Sequence, residues 1–513
     1  MKKRVKLEEI KRLFEAYEKL TVKELREYTN LTERTLRNYL VELAKEGLIV
    51  AIGATNRRYY QRNYAIDEEP IVVMVLQNGK QVGTLSFSYA KGYQFGYNLD
   101  FKGERFPSLP EPINRSYALF TLFENLIPEN TRRERLLLKD GKILNPIELL
   151  LELDNTHGNL DFVRLTSFVQ KSENEIQKIP NWKQVKSIIL DENSYVNLLN
   201  YRVDISLESL KGASKNRELY SSLSGYQHKL DVNIDHKTKS IVRANRAKGE
   251  LAHYLLKPYA SDRRIKNTPY LALNEHLFMS FAKNELKLDV PFSAVLLGEN
   301  RDFYFLTKRY DRYKGYKYNQ YDFAQQLDIE SDEKYDISII SILQKFVSIV
   351  RNQKSREHLY IFMIYSSLIK HGDLHAKNIG LIESGKKTWE LAPLYDIIST
   401  YIYEGRKSDD FGIGFDYKNP KKRKLRYKEY LQMAEVLKLP PQKAKSLLRE
   451  TIKRFQVYFP KYIKATKAFE EQLGYSTKLS KKLVSLYNEK NIEFDKLGVL
   501  DEVGLKREMI WLQ

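Results

Sequence analysis

Eight consecutive residues, His371-Gly372-Asp373-Leu374-His375-Ala376-Lys377-Asn378, constrain this 513-residue chain more than any other stretch. They lie between an apolar segment with helical spacing, Leu359 to Ile369, and a strand-like one, Ile379 to Ile382. An aspartate followed five positions later by an asparagine, on a loop of this kind, is a spacing suited to phosphoryl transfer. There the aspartate accepts the proton of the acceptor hydroxyl and the asparagine carbonyl binds Mg²⁺. Further on, Leu394-Tyr395-Asp396-Ile397 offers a second metal-binding carboxylate. Asp396 by itself would be an ordinary helix-capping residue. It gains meaning only opposite Asn378, across an expected hairpin of Ile379 to Ile382 and Thr388 to Leu391.

Such a loop requires partners upstream, and the sequence offers them in order. Ser222-Leu223-Ser224-Gly225-Tyr226-Gln227-His228-Lys229 could cradle phosphates, because one glycine among small residues lets backbone N–H groups approach. Alone it would be an unremarkable hairpin. Ala252 to Lys257 alternates like a strand that Pro258 ends, and it presents Lys257 to the phosphates. The helical pattern around Leu271 to Leu286 carries Glu275, a candidate partner for Lys257 and otherwise a surface carboxylate. The strand Phe303 to Thr307 leads into Lys308-Arg309-Tyr310-Asp311-Arg312, where a hinge between lobes and an adenine contact are expected. Helical patterns dominate from about residue 320. The order of these pieces is that of a bilobal, protein-kinase-like α+β fold with a mostly helical C-lobe.

Residues 1 to 66 read as a separate module. Thr21 with Glu24 marks one helix start, Thr32 caps a helix to about Glu46, and Gly47 ends it. Two short strands, Leu48 to Val50 and Arg58 to Gln61, follow. Helices followed by a hairpin predict a winged helix-turn-helix. Arg34, Thr35, Arg37 and Asn38 would then face the major groove, with Arg57 and Arg58 on the wing near phosphates. A module that binds only protein is the alternative. After an acidic linker, Ile71 to Leu76 and Gln81 to Leu85 flank an Asn78-Gly79 turn. The expected divisions are 1–66, a subdomain at 70–140, an N-lobe at 141–312 and a helical C-lobe at 313–513.

Composition sets outer limits. The formal net charge of +20 favours anionic partners, although a Lys-rich proteome would produce it as well. The basic run Lys418 to Lys428 is either an anion contact or a solvated loop. No stretch approaches about 18 uncharged apolar residues, so no membrane span is expected. Absence of cysteine and of a signal-like N-terminus fits a cytoplasmic protein.

With these residues in place, the chain resembles the HipA-family serine/threonine kinases, the toxin half of bacterial toxin–antitoxin pairs. The likeness covers roughly residues 71 to 410. It rests on Asn78-Gly79 with Val82 to Leu85, Ser108-Leu109-Pro110, Phe123 to Pro128, Ser222 to Lys229, Leu256-Lys257-Pro258, Asn274-Glu275, Arg309 to Arg312, Asp373 to Asn378 and Tyr395 to Ser399. The resemblance implies that Asp373 is the catalytic base. It implies that ATP is held by Ser224, Gly225, Tyr226, Gln227, His228, Lys229, Lys257, Lys308, Arg309, Tyr310, His375, Ala376, Lys377, Asn378, Tyr395 and Asp396, with Mg²⁺ on Asn378 and Asp396. It places a self-phosphorylated serine at Ser222. It further implies a translation protein, notably an aminoacyl-tRNA synthetase, as acceptor, and a DNA-binding antitoxin as partner. The family's usual loop reads Ala-Gly-Ala-Gln-Glu-Lys, and Tyr226 and His228 depart from it. The N-terminal module is an addition that suggests direct DNA binding, and such modules often act as homodimers. Two other readings stay open at this stage. One is a small-molecule phosphotransferase of the aminoglycoside or choline kinase type. The other is a DNA-binding regulator with a nucleotide-sensing kinase fold.

Overall fold

Helix starts in the N-terminal region are set by hydroxyl and carboxylate caps. Glu24 accepts the Thr21 N–H at 2.7 Å while Thr21 Oγ1 accepts the Glu24 N–H at 3.3 Å. This reciprocal cap opens helix α1, Val22–Thr29. Thr32 caps α2, Glu33–Lys45, through the Thr35 N–H, and Gly47, at φ +73°, turns the chain out of it.

The computed structural model describes the chain except residues 1–5, 8, 12, 15–16, 18, 30, 55–57, 64–69, 89–90, 128–137, 140–141, 154–155, 166–179, 191–197, 207–228, 245–249, 259–269, 299–302, 417–423 and 512–513. The described residues fall into two compact units, one within 1–177 and one within 178–513. Ser222, Ser224 to His228, Arg57 and most of the basic run after Lys418 lie outside the described residues.

In the first unit, strands β1 (Lys19–Leu20), β2 (Ile49–Ile52) and β3 (Tyr59–Arg62) form a sheet in the order β1-β3-β2. Ile10, Phe14, Leu25, Leu36, Leu40 and Leu43 pack as its core. Next come β4 (Ile71–Gln77) and β5 (Lys80–Ser88), joined through Asn78 and Gly79, both with left-handed φ of 47° and 80°. That geometry is what an Asn-Gly hairpin turn requires. Strands β6 (Gly92–Tyr97), β7 (Ile113–Ser116) and β8 (Leu160–Arg164) complete a five-stranded sheet, β8-β4-β5-β6-β7. The sheet that begins at Ile71 is thus closed by a strand beyond residue 140. A single helical turn, Thr121–Glu124, follows β7.

In the second unit, β9 (Arg202–Asp204), β10 (Leu230–Asp235), β11 (Ser240–Arg243), β12 (Tyr254–Pro258), β13 (Ser293–Leu297) and β14 (Phe303–Lys308) build a six-stranded sheet. Its order is β9-β11-β10-β12-β14-β13. Lys257 pairs with Phe305 in register, so Lys257 sits in a central strand rather than at a frayed end. Helix α3, Leu271–Asn284, packs on this sheet. A second, smaller sheet joins β15 (Gln320–Asp322), β16 (Gly380–Gly385) and β17 (Thr388–Leu391). The expected hairpin after the catalytic loop is the β16–β17 pair.

The rest is helical: α4 (Ile339–Ile349), α5 (Gln353–Ile369), α6 (Tyr427–Val436), α7 (Pro441–Gln472) and α8 (Lys478–Lys496). Their apolar faces form one large core with Phe278, Phe281, Tyr365, Phe455 and Phe459 among its members. Lys370, in the left-handed conformation at φ 53°, ends α5 and turns the chain into the His371 loop. No described helix is long and apolar enough to cross a membrane.

Candidate active site

Asp396 sits in the left-handed backbone region at φ 57°, a conformation that only a few residue types tolerate. This bend presents its carboxylate to Lys257 Nζ, which it contacts directly. The same Lys257 ammonium donates to Glu275 Oε1 at 2.7 Å. One lysine from the central strand β12 therefore joins a carboxylate from α3 to one that follows β17. Lys257 and Glu275 are buried, while the Asp396 side chain keeps 31% of its surface in solvent. Burial would raise the Asp396 carboxyl, but Lys257 first and Lys229 next hold it well below the usual carboxylate range. Burial would lower the Lys257 ammonium, but Asp396 and Glu275 hold it above its ordinary value.

Asp373 opens toward the same charges. Burial raises its carboxyl, the Tyr335 hydroxyl lowers it, and Asp396 raises it again. Tyr335 Oη donates to Asp373 Oδ1 at 2.5 Å. The loop holding Asp373 is tightly packed. A Cβ on Gly372 would lie 2.5 Å from Thr400 Oγ1, so no side chain fits there. Thr400 Oγ1 in turn accepts the Gly372 N–H at 3.2 Å and donates to the Lys370 carbonyl. His371 is wholly buried beside Phe362, and neither ring nitrogen has a hydrogen-bond partner among the described residues. Burial lowers it to about 4, so it is neutral near pH 7.

His375 through Asn378 form one self-capped turn. His375 Nδ1 accepts the Lys377 N–H at 3.2 Å, and Asn378 Oδ1 accepts the His375 N–H at 3.0 Å. The buried Ala376 donates its N–H to the Lys334 carbonyl at 3.2 Å. Lys377 braces the loop: its ammonium is buried and donates to Ser331 Oγ at 2.9 Å. Tyr395 Oη donates to the Lys377 carbonyl at 2.6 Å. The Tyr395 ring stacks on Tyr310, which ties the expected hinge to the stretch expected to bind metal.

The hinge residues are largely engaged. Arg309 is buried and grips Asp311 with two bonds, Nε to Oδ1 at 3.1 Å and Nη2 to Oδ2 at 2.9 Å. Its backbone N–H donates to the His253 carbonyl, and that of Lys308 to the Phe292 carbonyl. Burial lowers the half-buried Lys308 ammonium to about 8.

The structure thus brings Lys257, Glu275, Asp396 and Asp373 to one place, with Lys229 acting on it, and sets Asn378 on the same loop as Asp373. Two contacts were not legible in the sequence. Tyr335, on Asp373, lies 38 residues earlier along the chain, in a stretch with no periodicity. Ser331, on Lys377, has no local signal either. In the first unit, Arg34, Arg37 and Asn38 are exposed on α2 and Thr35 is half-buried against Thr32. Arg37 pairs with Glu33 at 2.6 Å, and Arg58, just before β3, is exposed.

Among the described residues no group of three His, Asp or Glu side chains converges as a metal cluster. Asp396 and Asn378, the residues expected to hold Mg²⁺, carry a carboxylate and an amide oxygen, the latter also accepting the His375 N–H. Two such hard donors suit Mg²⁺, which takes its remaining ligands from phosphates and water.

Residues 221–458 match the family model of the HipA-like C-terminal domain. A Haemophilus influenzae protein named "Putative kinase" is 30% identical over 195 residues, 36% of this chain and 53% of that protein. "Putative kinase Y4dM" of Sinorhizobium fredii is 29% identical over 195 residues, 36% of this chain and 47% of that protein. The chain spans about half the length of these curated relatives. Among solved structures, a chain from the Shewanella oneidensis MR-1 complex of HipA, HipB and operator DNA aligns with a TM-score of 0.59. That alignment covers 84% of this chain and 99% of the other at 18% identity, and it shows the HipA-like fold.

Proposed function

We propose that the HipA-like unit is a Mg²⁺- and ATP-dependent protein serine/threonine kinase. The observation that carries this is Lys257 held between Glu275 and Asp396, with Asp373 under the field of the same groups. Lys257 and Lys229 offer positive charge to the polyphosphate of the nucleotide. Asp396 and Asn378 would hold Mg²⁺, whose role is to neutralise charge building on the transferred group. Asp373 accepts the proton of the acceptor hydroxyl, and its raised carboxyl is suited to that task. The packed Gly372 and the braced Lys377 keep the base in position, which is most of what this chemistry asks of a protein.

The acceptor we favour is a translation protein such as an aminoacyl-tRNA synthetase, with Ser222 as a self-phosphorylation site. For the first unit we propose a winged helix-turn-helix that binds DNA through Arg34, Thr35, Arg37, Asn38, Arg57 and Arg58. The solved neighbour was captured with HipB and its operator. A comparable antitoxin or a second copy of this chain is the corresponding partner here, in the cytoplasm.

The deciding experiment compares phosphopeptides from cells that express the intact chain or its Asp373→Ala form. Serine or threonine phosphopeptides present only with the intact chain are expected, and they would name the acceptor. Identical phosphopeptide sets would overturn the kinase reading. Protection of a specific duplex, lost on Arg34→Ala, checks the DNA-binding part.

A further inference from the structure

The hydroxyl on the base is already occupied, and the occupant is the chain itself. Tyr335 Oη lies 2.5 Å from Asp373 Oδ1, as donor. A phosphoryl acceptor must make this contact, since the base takes the proton of the attacking hydroxyl. Tyr335 is not a core tyrosine that happens to find a carboxylate. It keeps 40% of its surface exposed, so its hydroxyl can be approached from solvent. Its ring meets His375 edge-on at 4.9 Å. The preceding residue is bonded to the catalytic loop by the Ala376 N–H to the Lys334 carbonyl. The tyrosine and the base therefore belong to one lobe and one hydrogen-bonded frame. Lys334 Nζ stands over the Tyr335 ring at 5.5 Å, a cation beside any phosphate formed there.

We propose that Tyr335 is a self-phosphorylation site, modified in cis by the site to which it is bonded. This inference rests on the kinase reading above and adds a regulatory product to it. The bond from Tyr335 Oη to the γ-phosphorus of ATP forms as the bond from that phosphorus to the ADP oxygen breaks. The phenolic proton ends on Asp373. The product no longer has a hydroxyl to offer and leaves a dianion beside the base, which closes the acceptor position to other hydroxyls.

The test uses the purified full chain with Mg²⁺ and ATP and maps phosphate by tandem mass spectrometry. Phosphate on Tyr335 is expected, beside any on Ser222, with a first-order rate at Tyr335 that stays the same on tenfold dilution of the protein. Asp373→Ala should lose it. Phosphate on other residues or on added extract proteins, with Tyr335 unmodified, would overturn this proposal and leave the kinase reading intact. A rate that falls in proportion to dilution would overturn the cis assignment. No phosphate on any residue or acceptor would sink both. A nucleotide-free measurement checks the contact itself. The Asp373 carboxyl, followed by carbon-13 NMR, should titrate at higher pH in Tyr335→Phe, because a donor to the carboxylate is lost while Asp396, Lys334 and Lys257 still act on it. An unmoved titration would show that the two groups do not meet.

Discussion

Two buried lysines in the second unit each bridge two carboxylates, and only one of them belongs to the candidate site. Lys257 joins Glu275 and Asp396. Lys490, on α8, joins Asp410 at 2.9 Å and Glu493 at 2.6 Å. The Lys490 cluster is sealed: Asp410 keeps 1% of its side-chain surface and also accepts Ser367 Oγ, which contacts Tyr430. In the Lys257 cluster the outer carboxylate keeps 31%. A buried ion pair is weak evidence of either stability or function. What separates the two is access: the Asp396 carboxylate meets both Lys257 and solvent. The sealed cluster ties α8 to the Phe411 segment, which in turn lies alongside His371. Its work is to hold the lobe that carries the loop.

The comparison can be broken most directly by exchanging each lysine for methionine. Lys257→Met should lower phosphoryl transfer by about 10³-fold, since a charge aimed at the reacting group is lost. It also leaves Glu275 buried without that cation, so it should destabilise the fold as well, although water can reach Asp396. Lys490→Met should cost stability and spare the chemistry. It leaves the buried Asp410 without its cation, while Glu493 keeps Lys424 at 3.1 Å, at a cost of about 3–5 kcal/mol in denaturant unfolding. The protein that remains folded should still transfer phosphate. Equal losses of transfer in the two folded variants would erase the distinction between the two clusters.

A smaller effect sharpens it. The Asp396 carboxyl is depressed in the folded chain, so it binds its proton less readily than in the unfolded chain. The stability this contributes is present above the ordinary carboxylate pKa, about 4, and is lost as pH falls below it. Lys257→Met should flatten that part of the stability profile. Asp373 is shifted the other way, and its activity limb should lie above the usual aspartate value, with transfer falling as the pH drops through it. A limb at or below the ordinary value would remove Asp373 as the base.

Much of this was readable along the chain where function and local structure coincide. The His371 to Asn378 string, the strand holding Lys257 and the hairpin after Asn378 are each defined by neighbours a few residues away. Glu275 was readable because a strand followed by a helix brings it back to the lysine. Tyr335 and Lys490 were not. The one meets its partner across a non-periodic segment, and the other across two helices, so only the folded arrangement pairs them. Lys377 was visible as a motif residue, yet its orientation toward Ser331 depends on a turn that the motif does not encode. Arg309 likewise stood in the expected hinge, and its burial against Asp311 and Asp231 follows from sheet register rather than from sequence spacing.

The backbone twist at residue 396 has a further mechanical consequence. A non-glycine residue in that basin is separated by a steric barrier from its extended alternatives, so the torsion does not drift but jumps. A jump would swing the carboxylate off Lys257 in a single move and free the lysine to Glu275 alone. The seat of the carboxylate on Lys257 thus depends on one backbone torsion as much as on the ion pair itself.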